Sequence, residues 1–182
     1  MAENASSFLT PWSSFYVMTG SSAAALTGLM FVVITLITGV ERVRRNPDGI
    51  STFSTPTVVH FCAALLISAI ISAPWHSLVQ PATLIGLVGL FGVVYVLRVM
   101  HRTRRLTSYS PDLEDWAWYS ILPLLAYAAI LAGGIMFPGS PVNALFALAA
   151  GVIFLIFIGI HNAWDIVTYI VTELLQEPPS SS

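Results

Sequence analysis

The chain of 182 residues is 56% hydrophobic and only 9% charged, with a formal net charge of −2 and a mean hydropathy of +0.81. An average soluble domain carries about a quarter of its residues as Asp, Glu, Lys or Arg, so this chain has too few charges to solvate an ordinary soluble enzyme of its size. Cys62 is the single cysteine, which excludes an intrachain disulfide and a cysteine metal cluster.

Charge is absent from Asn4 to Val40, from Gly49 to Leu97 and from Trp116 to Trp164, gaps of 37, 49 and 49 residues. A helix that crosses a bilayer needs about 20 apolar residues, so the first gap holds one helix and each of the others a helical hairpin. The expected fold is all-α, a polytopic bundle of five transmembrane helices over residues 12–40, 56–74, 82–100, 115–137 and 141–172. Residues 1–10 form a short external N-terminus and 11–175 the transmembrane domain. Glu3 and the absence of basic residues there, with an apolar stretch longer than a signal-peptide core, favour a retained first span. Residues 176–182, with Pro178-Pro179 and three serines, read as a disordered cytoplasmic tail.

The helix starts share a signature. Thr10-Pro11, Thr55-Pro56, Ser110-Pro111 and Ser140-Pro141 place proline at a first helical position, where its missing N–H costs nothing, behind a hydroxyl that can cap free amides. Gln80-Pro81 is the version without the hydroxyl. Pro74 and Pro138 close the second and fourth helices, and Pro123 inside the fourth predicts a kink near Tyr119.

Helix one carries a small and polar stripe, Gly20, Ala24, Thr27, Gly28, Phe31, Thr35 and Thr38. The fourfold spacing of Gly20, Ala24 and Gly28 permits close helix approach, either as packing at the bundle centre or a subunit contact, or as pore lining. Helix two offers His60, Ala64, Ser68 and Ser72 on one narrow face, with His60 expected about one turn inside the cytoplasmic end. An ionisable group in a membrane helix turns away from lipid, so His60 is either hydrogen-bonded to a neighbouring helix or in contact with a ligand or proton path. Arg98 and His101 lie near the end of helix three.

Helix five is the most informative. From Val142 to Leu175 it would run about 50 Å, against about 30 Å of hydrocarbon, so its last turns project beyond the core. His161 and Asp165 are four apart and share a face that continues through Thr168 and Thr172, with Asn162 beside them. A carboxylate one turn away can orient an imidazole and raise its basicity. With His60, Arg98 and His101 expected at a similar depth, the polar side chains converge on the cytoplasmic third of the bundle.

All seven cations are arginines. Arg42, Arg44 and Arg45 follow helix one, and Arg98, Arg102, Arg104 and Arg105 end helix three, while the opposite connections have no cation. The positive-inside rule then gives N-terminus out and C-terminus in. Trp12, Phe15, Tyr16 and Trp75 form an outer aromatic belt and Trp116, Trp118, Tyr119, Trp164 and Tyr169 an inner one. The partners this implies are the lipid bilayer of a cell membrane, of the bacterial inner or plasma-membrane kind, and anionic headgroups at the arginine loops. Asp112, Glu114 and Asp115 complement the dipole at the start of helix four, and neither basic loop calls for nucleic acid.

No dinucleotide or phosphate loop, no HExxH and no GxSxG occurs, so no catalytic residue is assigned. Three functional readings stand. A homo-oligomeric channel or transporter would run a path along Thr35, Thr38, Ser68 and Ser72 to His60 and His161. A non-catalytic accessory subunit or scaffold would use the same polar cluster to fix packing. A haem or metal held by His60 and His161 would make a redox anchor, although no paired histidines on one helix support it and the cofactor is left unassigned.

Overall fold

The structure, a computed structural model, describes residues 5–37, 47–103 and 116–175. Every regular element among them is helical. In hydrocarbon each backbone N–H and C=O must find its partner within the protein, and helices do this inside one segment. The long helices are α1 (Ser13–Ile37), α2 (Pro47–Ser72), α3 (Val79–Thr103), α4 (Leu122–Met136) and α5 (Pro141–Leu175). Four helical stretches are long and apolar enough to cross a membrane, Ala5–Thr35, Val79–His101, Ala117–Met136 and Pro141–Thr168, and Pro56–Ser72 is a shorter apolar one. The chain has the build of a multi-pass membrane protein, and the five long helices among the described residues match the expected number.

Several boundaries differ from the expected ones, each for a local reason. The helix ahead of α1 already runs from Ala5, so Thr10-Pro11 is not a start. Pro11 sits in a 3-10 turn (Thr10–Trp12), and the Thr10 hydroxyl donates back to Ser6 O at 2.7 Å instead of capping. The second helix opens at Pro47, leaving Pro56 in its interior. Pro47 meets the same first-position requirement more than two turns earlier, and a membrane helix tolerates an internal proline when neighbours compensate. At α3 the cap is Ser77, whose hydroxyl accepts from Val79 N at 3.3 Å, two residues ahead of the helix. Ser140-Pro141 does open α5, with Ala144 N donating to Ser140 O at 3.0 Å. Pro74 and Pro138 lie just past the ends of α2 and α4. Ser110-Pro111 and the clusters Arg42–Arg45 and Arg104–Arg105 lie outside the described residues.

The helix widens ahead of Pro123. With no N–H to give to Tyr119 O, the chain before it forms a π-helical turn, Ala117–Ile121, in which Leu122 N reaches Ala117 O. A π turn adds a residue to one helical circuit and re-aims the side chains it carries.

In cross-section the helices follow the order α3, α4, α5, α2, α1, each packed along the next. Half of the α5 span is buried inside the chain, against 22% for the spans of α1 and α3. The central helix is therefore α5, and the expectation that helix one fills the centre is corrected. Ala144, Leu148, Gly151, Leu155 and Ile158 form one buried row of α5, and Leu145, Val152, Ile156 and Gly159 another. Gly133 and Gly151 bring the first row against α4, and Gly159 brings the second against Phe61 of α2. Adjacent helices run antiparallel. The start of α1 meets the start of α5, where the Tyr16 hydroxyl donates to Leu145 O at 3.2 Å and the Trp12 ring lies 4.8 Å from that of Phe146. The end bearing Trp12, Trp75 and Pro138 is thus one end of the bundle. Trp118, Arg98 and His161 lie toward the other, called here the far end.

The closest helix approach is between α3 and α4. A Cβ added to Gly134 would stand 2.7 Å from Gly86 N and 2.9 Å from Gly86 Cα, and one added to Gly89 2.6 Å from Leu131 N. Backbone cannot yield as a side-chain tip can. Gly134→Ala is therefore expected to destabilise the protein by about 1–3 kcal/mol, read as a lower melting temperature in detergent. Gly28→Ala, with nothing within 4 Å of the new methyl, should change stability by no more than about 1 kcal/mol, the helix-propensity difference, and in the stabilising direction.

Candidate functional site

Buried polar side chains are few in a bundle of this kind, so their pairing locates any site. Near the Trp12 end, Thr19 of α1 and Ser68 of α2 share a hydrogen bond of 3.2 Å. The Ser68 Cβ lies 2.9 Å from where a Cβ of Gly20 would stand. This seam is closed. Ser72, one turn along, is exposed.

The stripe on α1 does not stay on one face. Residues four apart advance by about 400°, so a fourfold series drifts by about 40° per step. Gly20 is buried against α2, whereas Ala24, Gly28, Phe31 and Thr35 are exposed on the side away from it and Thr27 lies between. The buried face is Tyr16, Thr19, Ala23 and Met30. Thr27 and Thr35 turn their hydroxyls back to Ala23 O and Phe31 O, both at 2.8 Å. Thr35 and Ser68, expected along one path, face different surroundings; Thr38 lies outside the described residues. Tyr16 is also not a belt residue, being buried with its hydroxyl on α5.

His60 sits near the middle of α2 because that helix starts at Pro47, and not one turn from its end. It is buried, and its Nδ1 shares a hydrogen bond of 3.0 Å with the Tyr127 hydroxyl of α4. Tyr127 lies in a slot where α3 has Gly92, since a Cβ there would overlap the phenol ring. A glycine on a third helix thus seats the tyrosine that pairs with the histidine.

The far-end cluster is separate. His161 lies flat on the Trp118 indole, with ring centroids 3.8 Å apart and planes 9° from parallel. Trp118 is carried by the π turn, so Pro123 positions it. His161 Nδ1 stands 3.1 Å from Asp165 Oδ2, as the i,i+4 spacing requires, with side chains 28% and 42% exposed. The approach is off hydrogen-bond alignment, and Nδ1 is a buried atom without a hydrogen bond. Asn162 is fully buried, and neither Nδ2 nor Oδ1 has a partner. Each such atom costs about 1–3 kcal/mol. Ser120, on the same π turn as Trp118, and Thr57 of α2 are also buried in the far half.

Of the expected residues, the structure joins His161 to Asp165 and places Asn162 beside them. Thr168 is exposed and returns its hydroxyl to Trp164 O and Asp165 O, both at 3.0 Å. Arg98 and His101 are exposed on α3, which packs along α4 and the π turn. Among the described residues, no hydrogen bond or ring contact joins His60 to His161, and no group of three His, Cys, Asp or Glu could hold a metal. The two histidines do not face each other as an axial pair for haem iron would.

Sequence reading missed Tyr127, Trp118 and Thr19. Tyr127 is a single hydroxyl inside an apolar helix, and Trp118 precedes Pro123 by five residues, the reach of a π turn; both were visible signals. Compared with family models, with curated proteins and with solved structures, the chain matches none.

Tyr127→Phe should cost about 1–3 kcal/mol by leaving His60 Nδ1 buried and unpaired. Adding His60→Leu should cost less than the sum of the single changes, a coupling of about 0.5–3 kcal/mol in a double-mutant cycle of thermal or denaturant unfolding.

Proposed function

We propose that this is a multi-pass protein of a plasma or bacterial inner membrane, N-terminus out and C-terminus in, that works as a homo-oligomeric channel or small transporter. The observation that carries this reading is the outward face of α1. Ser21, Ala24, Ala25, Gly28 and Thr35 are exposed there, small and hydroxyl residues set between the larger Val17, Phe31 and Val32, so that the face is notched along its length. The far side of α3 carries large apolar residues, Leu87, Leu90, Phe91 and Leu97. Small residues let helices of separate subunits approach closely, and hydroxyls on such a face bond across the contact or line a path.

In this arrangement the path lies between subunits along α1, because the α1–α2 seam within one chain is closed at Ser68. The His161–Asp165 pair stands at the cytoplasmic end, where polar groups would exchange a solute or proton with the interior. That closed seam favours a second reading, a non-catalytic accessory subunit whose α1 face docks on another membrane protein.

Light scattering of the detergent-solubilised protein should give a multiple of 19.7 kDa after correction for bound detergent, and Gly28→Leu should reduce it to the monomer without unfolding. In proteoliposomes, ion or proton flux should fall at least about tenfold in His161→Ala or Asp165→Ala, as when about 1.4 kcal/mol of a productive interaction is lost. A clean monomer without flux overturns the channel reading. A reproducible partner in mild detergent then supports the accessory one.

A further inference from the structure

Among the described residues, three buried side-chain nitrogen or oxygen atoms make no hydrogen bond, and all three belong to the neighbours His161 and Asn162. An asparagine amide offers an accepting oxygen and a nitrogen with two donated protons on adjacent positions. At Asn162 neither is used, in a residue that is 0% exposed. Its neighbours one turn away along α5, Ile158 and Ile166, are apolar and buried, so α5 supplies no partner. One molecule carrying both an acceptor and a donor would answer both amide atoms at once.

The surroundings restrict what that molecule can be. At about 100° per residue, Asp165 falls between His161 and Asn162 around α5, and the three groups span a quarter to a third of its circumference. The Asp165 carboxyl on this turn is directed to His161 Nδ1 at 3.1 Å. A charged ligand against a fully buried neutral amide would lack a counter-charge, which is costly in a membrane bundle. Size is restricted as well, because Gly159, one turn back, is closed against Phe61. The π turn opposite holds Trp118 on His161 and buries Ser120, and such turns recur where helices present side chains to ligands.

We infer that this turn of α5 is a binding site for a small neutral molecule that both donates and accepts hydrogen bonds, held by the Asn162 amide. Water has this chemistry, and so does a small amide or alcohol. Partly exposed Asp165 marks the side from which it enters. The site is filled whether or not the chain moves a solute across the bilayer.

The test uses the full chain in lipid bilayers. His161-Asn162 is the one His–Asn pair in the sequence, so carbonyl-13C histidine with 15N asparagine assigns the Asn162 resonances without a variant. Water-edited solid-state NMR should then show water magnetisation reaching the Asn162 side-chain amide as fast as that of exposed Asn143. Acetamide is the probe for the second source. A shift of the Asn162 amide on adding it assigns the site to a solute, and transfer unchanged by it assigns the site to water; either supports the inference. Neither transfer nor shift overturns it. Asn162→Leu gives an independent reading: a lower melting temperature than wild type supports an occupied site, and a higher one marks the amide as unpaired and overturns it.

Discussion

The arrangement depends on how closely the backbones of α3, α4 and α5 approach one another. Gly86 against Gly134, Gly89 against Leu131 and Gly151 against Ala126 O remove the side-chain layer that ordinarily separates helices. With lipid as apolar as the protein surface, helix association rests on packing contacts and interhelical hydrogen bonds more than on the hydrophobic effect. Glycine contacts maximise the first of these and fix the rotation of each helix about its axis. That rotation turns His60 toward α4, aligns Tyr127 with the gap left by Gly92 and places α5 between two neighbours.

Polar groups are distributed against this frame in a graded way. Toward the Trp12 end they are paired and closed, as in Thr19 with Ser68 and Tyr16 with Leu145 O. At mid-depth a single pair, His60 with Tyr127, bridges α2 and α4. At the far end Trp118, His161 and Asp165 are in contact, yet His161 Nδ1 and the Asn162 amide lack hydrogen bonds. Among the described residues the polar atoms are thus paired in two layers and left open in the third. The π turn fits this gradient, since it sits at the same level and carries Trp118 into the cluster.

Much of the far-end cluster was legible along the chain because it is local. His161 and Asp165 share a helix, so their spacing alone brings them together. The pairing of His60 was not legible, since its partner is 67 residues away. The small-residue stripe was read as one face because fourfold spacing suggests one. The drift of about 40° per step carries Gly20 inward and Gly28 outward, and only the direction of α2 decides which is which. The glycines that make the tight contacts, Gly86, Gly89 and Gly92, are spaced by three on helix three and drew no notice beside Gly20, Ala24 and Gly28.

The sequence by itself determined that the chain is helical and how many long helices it has. Uncharged stretches of 37, 49 and 49 residues leave hydrocarbon as their natural solvent, and hydrocarbon demands that each segment satisfy its own backbone. It also determined which side chains neighbour one another at the far end of α5, where helical periodicity places them without help from other helices. The tertiary structure alone decided which helix is central, which histidine is paired and which amide is left open. Those outcomes depend on the rotation of each helix against the next. That rotation is set by glycine contacts between residues far apart in the chain, and no periodicity within a single helix encodes it.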